Sequence, residues 1–347
     1  MSRDYLLDVL TMLGLTNREA EVFLAIAARG EASVKDLLES VDIHQPQLYN
    51  ILSSLLRRGF IRVSGTRPKV YIAYDLSTII ETHVSTLLSI KESVKGVGQS
   101  QRGGSQISIS YGMNGINNGV VDVVSNAKTE LYGELPQWML RSNIRLFMDA
   151  LNRGVNLYLL IYPGIDNDCL SSMRKYGDLV RARTAKLGDF LLLVADFERG
   201  IYASRRAIMN RSSASFGYLI QDIDIIARFL DIFSSTWSKS SDALRADPEK
   251  SRYPRRYLNA HFASLDLKEL LGRGHRPLIT VRGIDIRRGE PIEVRGVVSS
   301  VESFNRVSSI IMESDGRRYS IGGYDAEIED IEAREVIIEA MDADPPR

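Results

Sequence analysis

The chain reads as an α+β multidomain protein, because three kinds of hydrophobic spacing follow one another along its 347 residues. Up to Phe60, apolar residues recur at three- and four-residue steps, the mark of amphipathic helices. Between Ile107 and Trp237, β-prone runs alternate with helical ones, and after Pro277 a period of two takes over. A chain of this length also exceeds one comfortable core, so more than one domain is expected.

The first helix is written TNREAEVFLAIAARG, with both ends marked. Thr16 and Glu19 have capping-box spacing, and Gly30 can close the helix with a positive φ. Ser33 opens a second helix through VKDLLESV, and Pro46 sits in the first turn of a third, where its missing N–H costs nothing. In that third helix Leu48, Ile51, Leu52 and Leu55 face the core. Asn50, Ser53 and Arg57 point the other way, flanked by Gln47 and Ser54, with Gln45 at the start. FIRVS and VYIAYDL then form a hairpin about GTRPK, whose tip carries Arg67 and Lys69. Three helices followed by a hairpin make a winged helix-turn-helix, assigned to residues 1–76.

No acid occurs between Ile43 and Tyr74. Gln and Asn can pair bidentately with adenine, and cations at the far end neutralise phosphates. Gln45, Gln47, Asn50, Ser53, Arg57, Arg67 and Lys69 are therefore the expected contacts to double-stranded DNA. Net formal charge is zero, so that affinity has to come from this local patch.

The run LSTIIETHVSTLLSIKESVKGVG (76–98) opens a helical linker assigned to residues 77–100, with a near-heptad stripe of Ile80, Val84, Leu87, Ile90, Val94 and Val97. Such a stripe either packs on its own domain or pairs two copies; its place at a domain junction favours a dimer helix.

Residues 106–245 form the α/β region, with YLLI and FLLLVA as buried strands and a turn expected at Glu198–Gly200. The order of its elements resembles the phospholipase D-like fold, whose nucleophile is a histidine. The four histidines are His44, His83, His261 and His275, so this region has none and phosphodiester hydrolysis by that route is excluded. Asp166 and Asp168 are explained by the start of a helix. Cys169, the one cysteine, rules out an intrachain disulfide and cysteine-only metal sites and reads as a partly buried thiol. No apolar run approaches the ~20 residues of a membrane helix, no targeting segment is evident, and a cytoplasmic protein without metal or cofactor is expected.

Residues 253–347 read as a small antiparallel β domain, with turns at RRGE and at Asp315–Gly316, and a break at Gly322–Gly323. Here the chain resembles the TrmB family of archaeal sugar-responsive transcriptional regulators. The likeness rests on LTNREAEVFLAIAARGEASVKDLLE and LYNILSSLLRRGFIRV near the start. It rests further on VRG, GEPIEVRGVV and SDGRRYSIGGYDAEIEDIEAREV near the end. It implies a dimeric regulator, not an enzyme, holding a mono- or disaccharide between its last two domains. On that resemblance Gly323 and Glu329 match the family's sugar contacts, with Gly322 beside them and Asn305 as an amide contact. Ser234 and Trp237, the latter as a stacking platform, are the expected contacts from the α/β side. An architectural DNA-binding protein without sugar response and, more remotely, a hydrolase are the competing readings.

Overall fold

The computed structural model describes residues 3–65, 69–93, 106–209, 215–304 and 307–343, so Arg67 and Asn305 lie outside the described residues. The chain divides into two compact units, Met1–Arg102 and Gly103–Arg347.

The first unit runs α1 (Arg3–Met12), α2 (Asn17–Arg29), β1 (Glu31–Ser33), α3 (Val34–Ser40), α4 (Gln45–Arg57), β2 (Ile61–Ser64), β3 (Val70–Ala73) and α5 (Leu76–Ser93). The capping box at α2 forms in full: Glu19 N–H donates to Thr16 Oγ1 at 3.3 Å and Thr16 N–H to Glu19 Oε2 at 2.8 Å. Ser33 and Asp36 repeat it at α3. Leu48, Ile51, Leu52 and Leu55 bury the inner face of α4 against Phe23, Ile26 and Phe60, each burial favouring folding by roughly 1.5–3 kcal/mol. The strands order β1-β3-β2, with β2 and β3 antiparallel from Ile61–Ala73 to Ser64–Val70. Two elements go beyond the expected three helices and hairpin. α1 packs Leu10 into the core, and β1 adds a third strand to the wing.

The second unit begins with β4 (Gln106–Tyr111), α6 (Gly112–Asn126), β5 (Glu130–Pro136), α7 (Gln137–Ser142), α8 (Ile144–Asn152), β6 (Asn156–Tyr162), α9 (Asn167–Arg174) and β7 (Val180–Thr184). β8 (Phe190–Ala195), β9 (Arg199–Ser204), α10 (Arg205–Met209), β10 (Phe216–Gln221), α11 (Ile223–Lys239) and β11 (Ser241–Leu244) follow. They build one eight-stranded sheet in the order β11-β7-β6-β5-β8-β9-β10-β4. Among the described residues only the β5–β6 and β6–β7 pairs are parallel, while β5–β8 and β7–β11 are antiparallel, so the sheet is mixed. The turn expected at Glu198–Gly200 falls earlier: Asp196 and Phe197 take φ of 53° and 57°, and Gly200 lies within β9. Asp196 earns that backbone by accepting three amide N–H groups, from Lys128, Thr129 and Glu130, at 2.7–2.8 Å.

The chain ends with β12 (Arg255–Tyr257), α12 (Ala260–Gly272), β13 (Leu278–Asp285), β14 (Glu290–Phe304), β15 (Val307–Ser314), β16 (Arg317–Gly322) and β17 (Ile331–Ala340). These six strands order β12-β17-β13-β14-β15-β16. The sheet is antiparallel except where β16 meets β17 in a short parallel bridge, Ile321 to Ile331 and Gly322 to Glu332, which draws the sheet round on itself. The turns at RRGE and Asp315–Gly316 form as expected, the second with φ of 50° and 75°.

One face of the large sheet buries Val120, Val124, Phe147 and Met173 from α6, α8 and α9. Its other face is shared: Tyr132, Tyr158 and Leu192 join Phe233 and Trp237 of α11, Phe262 of α12 and Ile279, Ile310 and Val336 of the second sheet in one apolar cluster. Gly103–Arg347 therefore holds two sheets about a common interior.

Candidate functional site

Two sites carry the polar chemistry, one in each unit. In the first, Gln45, Gln47, Asn50, Ser53 and Arg57 are all exposed on α4, and none makes a side-chain hydrogen bond or ion pair among the described residues. Lys69, at the foot of β3, is exposed as well. The expected flanking position of Ser54 differs: its hydroxyl donates to Glu19 Oε1 at 2.6 Å and ties α4 to α2. Arg58 turns inward too, 3.5 Å from Glu19 Oε2, 3.2 Å from the Leu13 carbonyl and over the Phe60 ring. Burial raises the Glu19 pKa, but hydrogen bonds from Ser54 and Thr16 and the Arg58 charge outweigh it and hold the carboxyl below its ordinary value. The helix is braced on one side and bare on the other. Arg62 extends the cationic surface along β2, its guanidinium 5.7 Å from the Tyr74 ring.

In the second unit the connection from β16 to β17 gathers the polar groups. Its acids are Asp325, Glu327, Glu329 and Asp330, and only Glu329 is buried, at 6% exposure. Glu329 Oε1 accepts from Ser309 Oγ at 2.7 Å, and its other oxygen makes no hydrogen bond among the described residues. Gly322 makes this placement possible: a Cβ there would lie 2.9 Å from the Glu329 carboxyl and 2.5 Å from Ala326 Cβ. Gly323 is roomier, with Ala260 Cβ of α12 at 4.0 Å from such a Cβ. The connection reaches α11, where Tyr324 Oη donates to Asp224 Oδ1 at 2.6 Å and Arg228 Nη2 to Asp325 at 2.8 Å. Ser234 is half-buried further along α11.

Trp237 does not serve as an open platform. It is 4% exposed, packed edge-on to Tyr158 and Phe262 and against Phe233, with the Arg183 guanidinium 5.6 Å from its ring. The signal was present in the sequence: Ile226, Leu230, Phe233 and Trp237 form a helical stripe, and such a stripe is core. Ser309, by contrast, was missed because nothing local marks a serine on β15 as the partner of an acid 20 residues away. Cys169 is buried in the α/β core, and burial pushes its thiol up to about 11.

Three family models match in sequence order. Residues 10–77 match the sugar-specific transcriptional regulator TrmB. Residues 106–244 match the TrmB EBD N-terminal subdomain, and residues 252–341 the TrmB/TrmBL1 EBD C-terminal subdomain. The chain belongs to the TrmB family of sugar-specific transcriptional regulators. It is 19% identical to the HTH-type sugar sensing transcriptional regulator TrmBL1 of Pyrococcus furiosus, over 97% of this chain and 99% of that one. Among solved structures, the archaeal chromatin protein TrmBL2 aligns over 70% of this TrmB-family chain and 100% of its own, with 18% identity and a TM-score of 0.36. Nuc of Salmonella typhimurium, a phospholipase D family member, aligns over 41% of this chain and 100% of its own, with 13% identity and a TM-score of 0.34.

Proposed function

We propose that the chain reads a duplex operator through α4, and that a mono- or disaccharide seated beside the Gly322–Glu329 connection sets its operator affinity. The observation that carries the reading is the outer face of α4: four amide or hydroxyl side chains and Arg57, exposed and unbonded, in a segment without acids. Groups left this free are suited to base edges, and the cations beyond them to phosphates.

For the sugar, Glu329 is only 6% exposed and offers one carboxylate oxygen that no described residue uses. Ser234 and Gly323 complete the proposed contacts, Asn305 is added from the family match, and Trp237 acts only as support. Sugar can change operator affinity only through unequal affinity for two arrangements of the protein, which two copies joined through α5 would supply. No catalytic step is assigned, since residues 107–236 contain no histidine to act as a phospholipase D-like nucleophile.

The test is a titration of the full chain against its own upstream DNA at fixed salt, with and without a panel of mono- and disaccharides. A sugar that moves the midpoint about tenfold, ~1.4 kcal/mol of coupling, supports the reading and names the effector. Tight operator binding that no sugar alters keeps the DNA reader and discards the sugar site.

A further inference from the structure

A cleft of about 950 Å3 opens where β5, β6 and β7 begin, between the end of α9 and the segment that joins β11 to β12. Its volume suits a small molecule. Eight of the lining residues are Lys or Arg and two are Asp. Four of the cations are already engaged by acids: Lys128 by Glu198, Arg245 by Glu269, Lys250 by Asp247 and Arg256 by Glu335. The two lining acids are engaged as well. Asp178 accepts from the Arg252 amide at 3.0 Å and lies 3.6 Å from Arg255, and Asp247 is held by Arg273 at 2.8 Å.

The exposed side chains of Arg174, Lys175 and Arg252 remain, with no carboxylate partner among the described residues. Arg174 and Lys175 also close α9, where cations favour the helix dipole, and the Lys175 ammonium lies 5.0 Å from the Tyr176 ring, but neither role supplies an acid partner. Behind them lies Arg255, 5% exposed. Its guanidinium is fixed by Asn156 Oδ1 at 3.0 Å, the Asp178 carbonyl at 2.8 Å and Ser251 Oγ at 3.2 Å, while its Nε–H has no partner among the described residues. A fixed, buried guanidinium behind three unpaired cations is a recognition arrangement for oxyanions.

We propose that this cleft binds a phosphorylated small molecule, with the phosphoryl group between Arg174, Lys175 and Arg252 and facing Arg255. A nucleic-acid backbone is the less suitable occupant, because Arg255 is recessed where a duplex surface does not reach. This site is separate from the Gly322–Glu329 connection, and its ligand would be charged where the other is neutral.

Calorimetric titration of the full chain with pyrophosphate tests it, at constant ionic strength and against an Arg174→Ala/Arg252→Ala double variant. Both positions are exposed, so unchanged thermal unfolding is expected of the variant and confirms that it is folded. Saturable pyrophosphate binding that weakens at least about tenfold in the variant supports the proposal. No binding, or binding equal in both proteins, overturns it. Equal displacement by sulfate or chloride reduces the effect to charge screening and overturns it too. A short non-operator duplex is titrated alongside. Loss of duplex binding in the variant, without pyrophosphate binding to the parent, assigns the cleft to nucleic acid instead.

Discussion

Glu329 is a carboxylate that folding has almost removed from water, and Gly322 is the reason it fits. Gly322→Ala inserts a methyl group 2.5 Å from Ala326 Cβ, and overpacking of this kind costs ~1–3 kcal/mol. Chemical denaturation of the variant should show that loss, and an unchanged midpoint would mean that the β16–β17 connection gives way freely. Glu329→Gln keeps the shape and removes the charge. The sugar response should fall by ~1.5 kcal/mol, about the value of a charge-assisted hydrogen bond, while sugar-free operator affinity stays as it was. Operator titration with and without sugar separates the two effects. The sequence alone could not have chosen Glu329 among the acids of EIEDIE, because alternation offers several equivalent positions and only the seam between β16 and β17 buries one.

α4 shows how one helix can be both anchored and available. Ser54 and Arg58 fasten it to α2 through Glu19, and its opposite face carries no side-chain bond among the described residues. Arg57→Ala should therefore weaken DNA binding without unfolding the unit, and the slope of log affinity against log salt should fall by ~0.9, one phosphate contact. A slope identical to the parent's would remove Arg57 from the interface. Elements of this kind were readable in advance, since capping boxes and three-four spacing are local signals. α10 and β11, five and four residues long, were not, because nothing so short carries a period. The turn at Asp196 and Phe197 was hidden for a different reason: its positive φ values are held by the three amides that Asp196 accepts from a distant stretch, not by a glycine. Sheet order was equally out of reach, as β4 precedes β5 in the chain yet pairs with β10 at the far edge.

Across the protein, acidity and self-association give two further expectations. Glu130 and Glu134 both lie on β5 with no exposure, and burial drives each carboxyl up to about 7 from an ordinary 4.5. Tyr132 Oη and Leu258 N–H favour the Glu130 anion but do not offset its desolvation. Folding raises both values, so their contribution is complete below pH 4.5 and is lost as pH rises through about 7. Thermal unfolding should accordingly fall in midpoint between about pH 5 and pH 8, above the range where carboxyls such as Asp36 and Asp330 titrate, and Glu130→Gln should flatten the trend. A pH-independent midpoint would show that neither carboxyl holds its proton in the fold. On α5, Val84 and Leu88 are 48% and 58% exposed at i, i+4 spacing, an apolar pair that a second copy would cover. Val84→Glu with Leu88→Glu should convert a dimer to a monomer in sedimentation velocity. An unaltered sedimentation coefficient would place the dimer contact elsewhere.

Phe262 stands 4.3 Å from the Tyr158 ring and 5.1 Å from that of Tyr132, bridging two sheets that family models divide at residues 244 and 252. The partition by sequence is thus finer than the partition by cohesion. A chimaera made by exchanging the final ninety-odd residues between relatives would inherit half of an aromatic stack and leave the other half facing solvent. Successful exchange requires the tyrosines of β5 and β6 and the inner stripe of α11 to travel with Phe262. Change in the second unit is therefore constrained to be concerted, whereas substitution at the exposed positions of α4 disturbs no packing and can be made one at a time without cost to the fold.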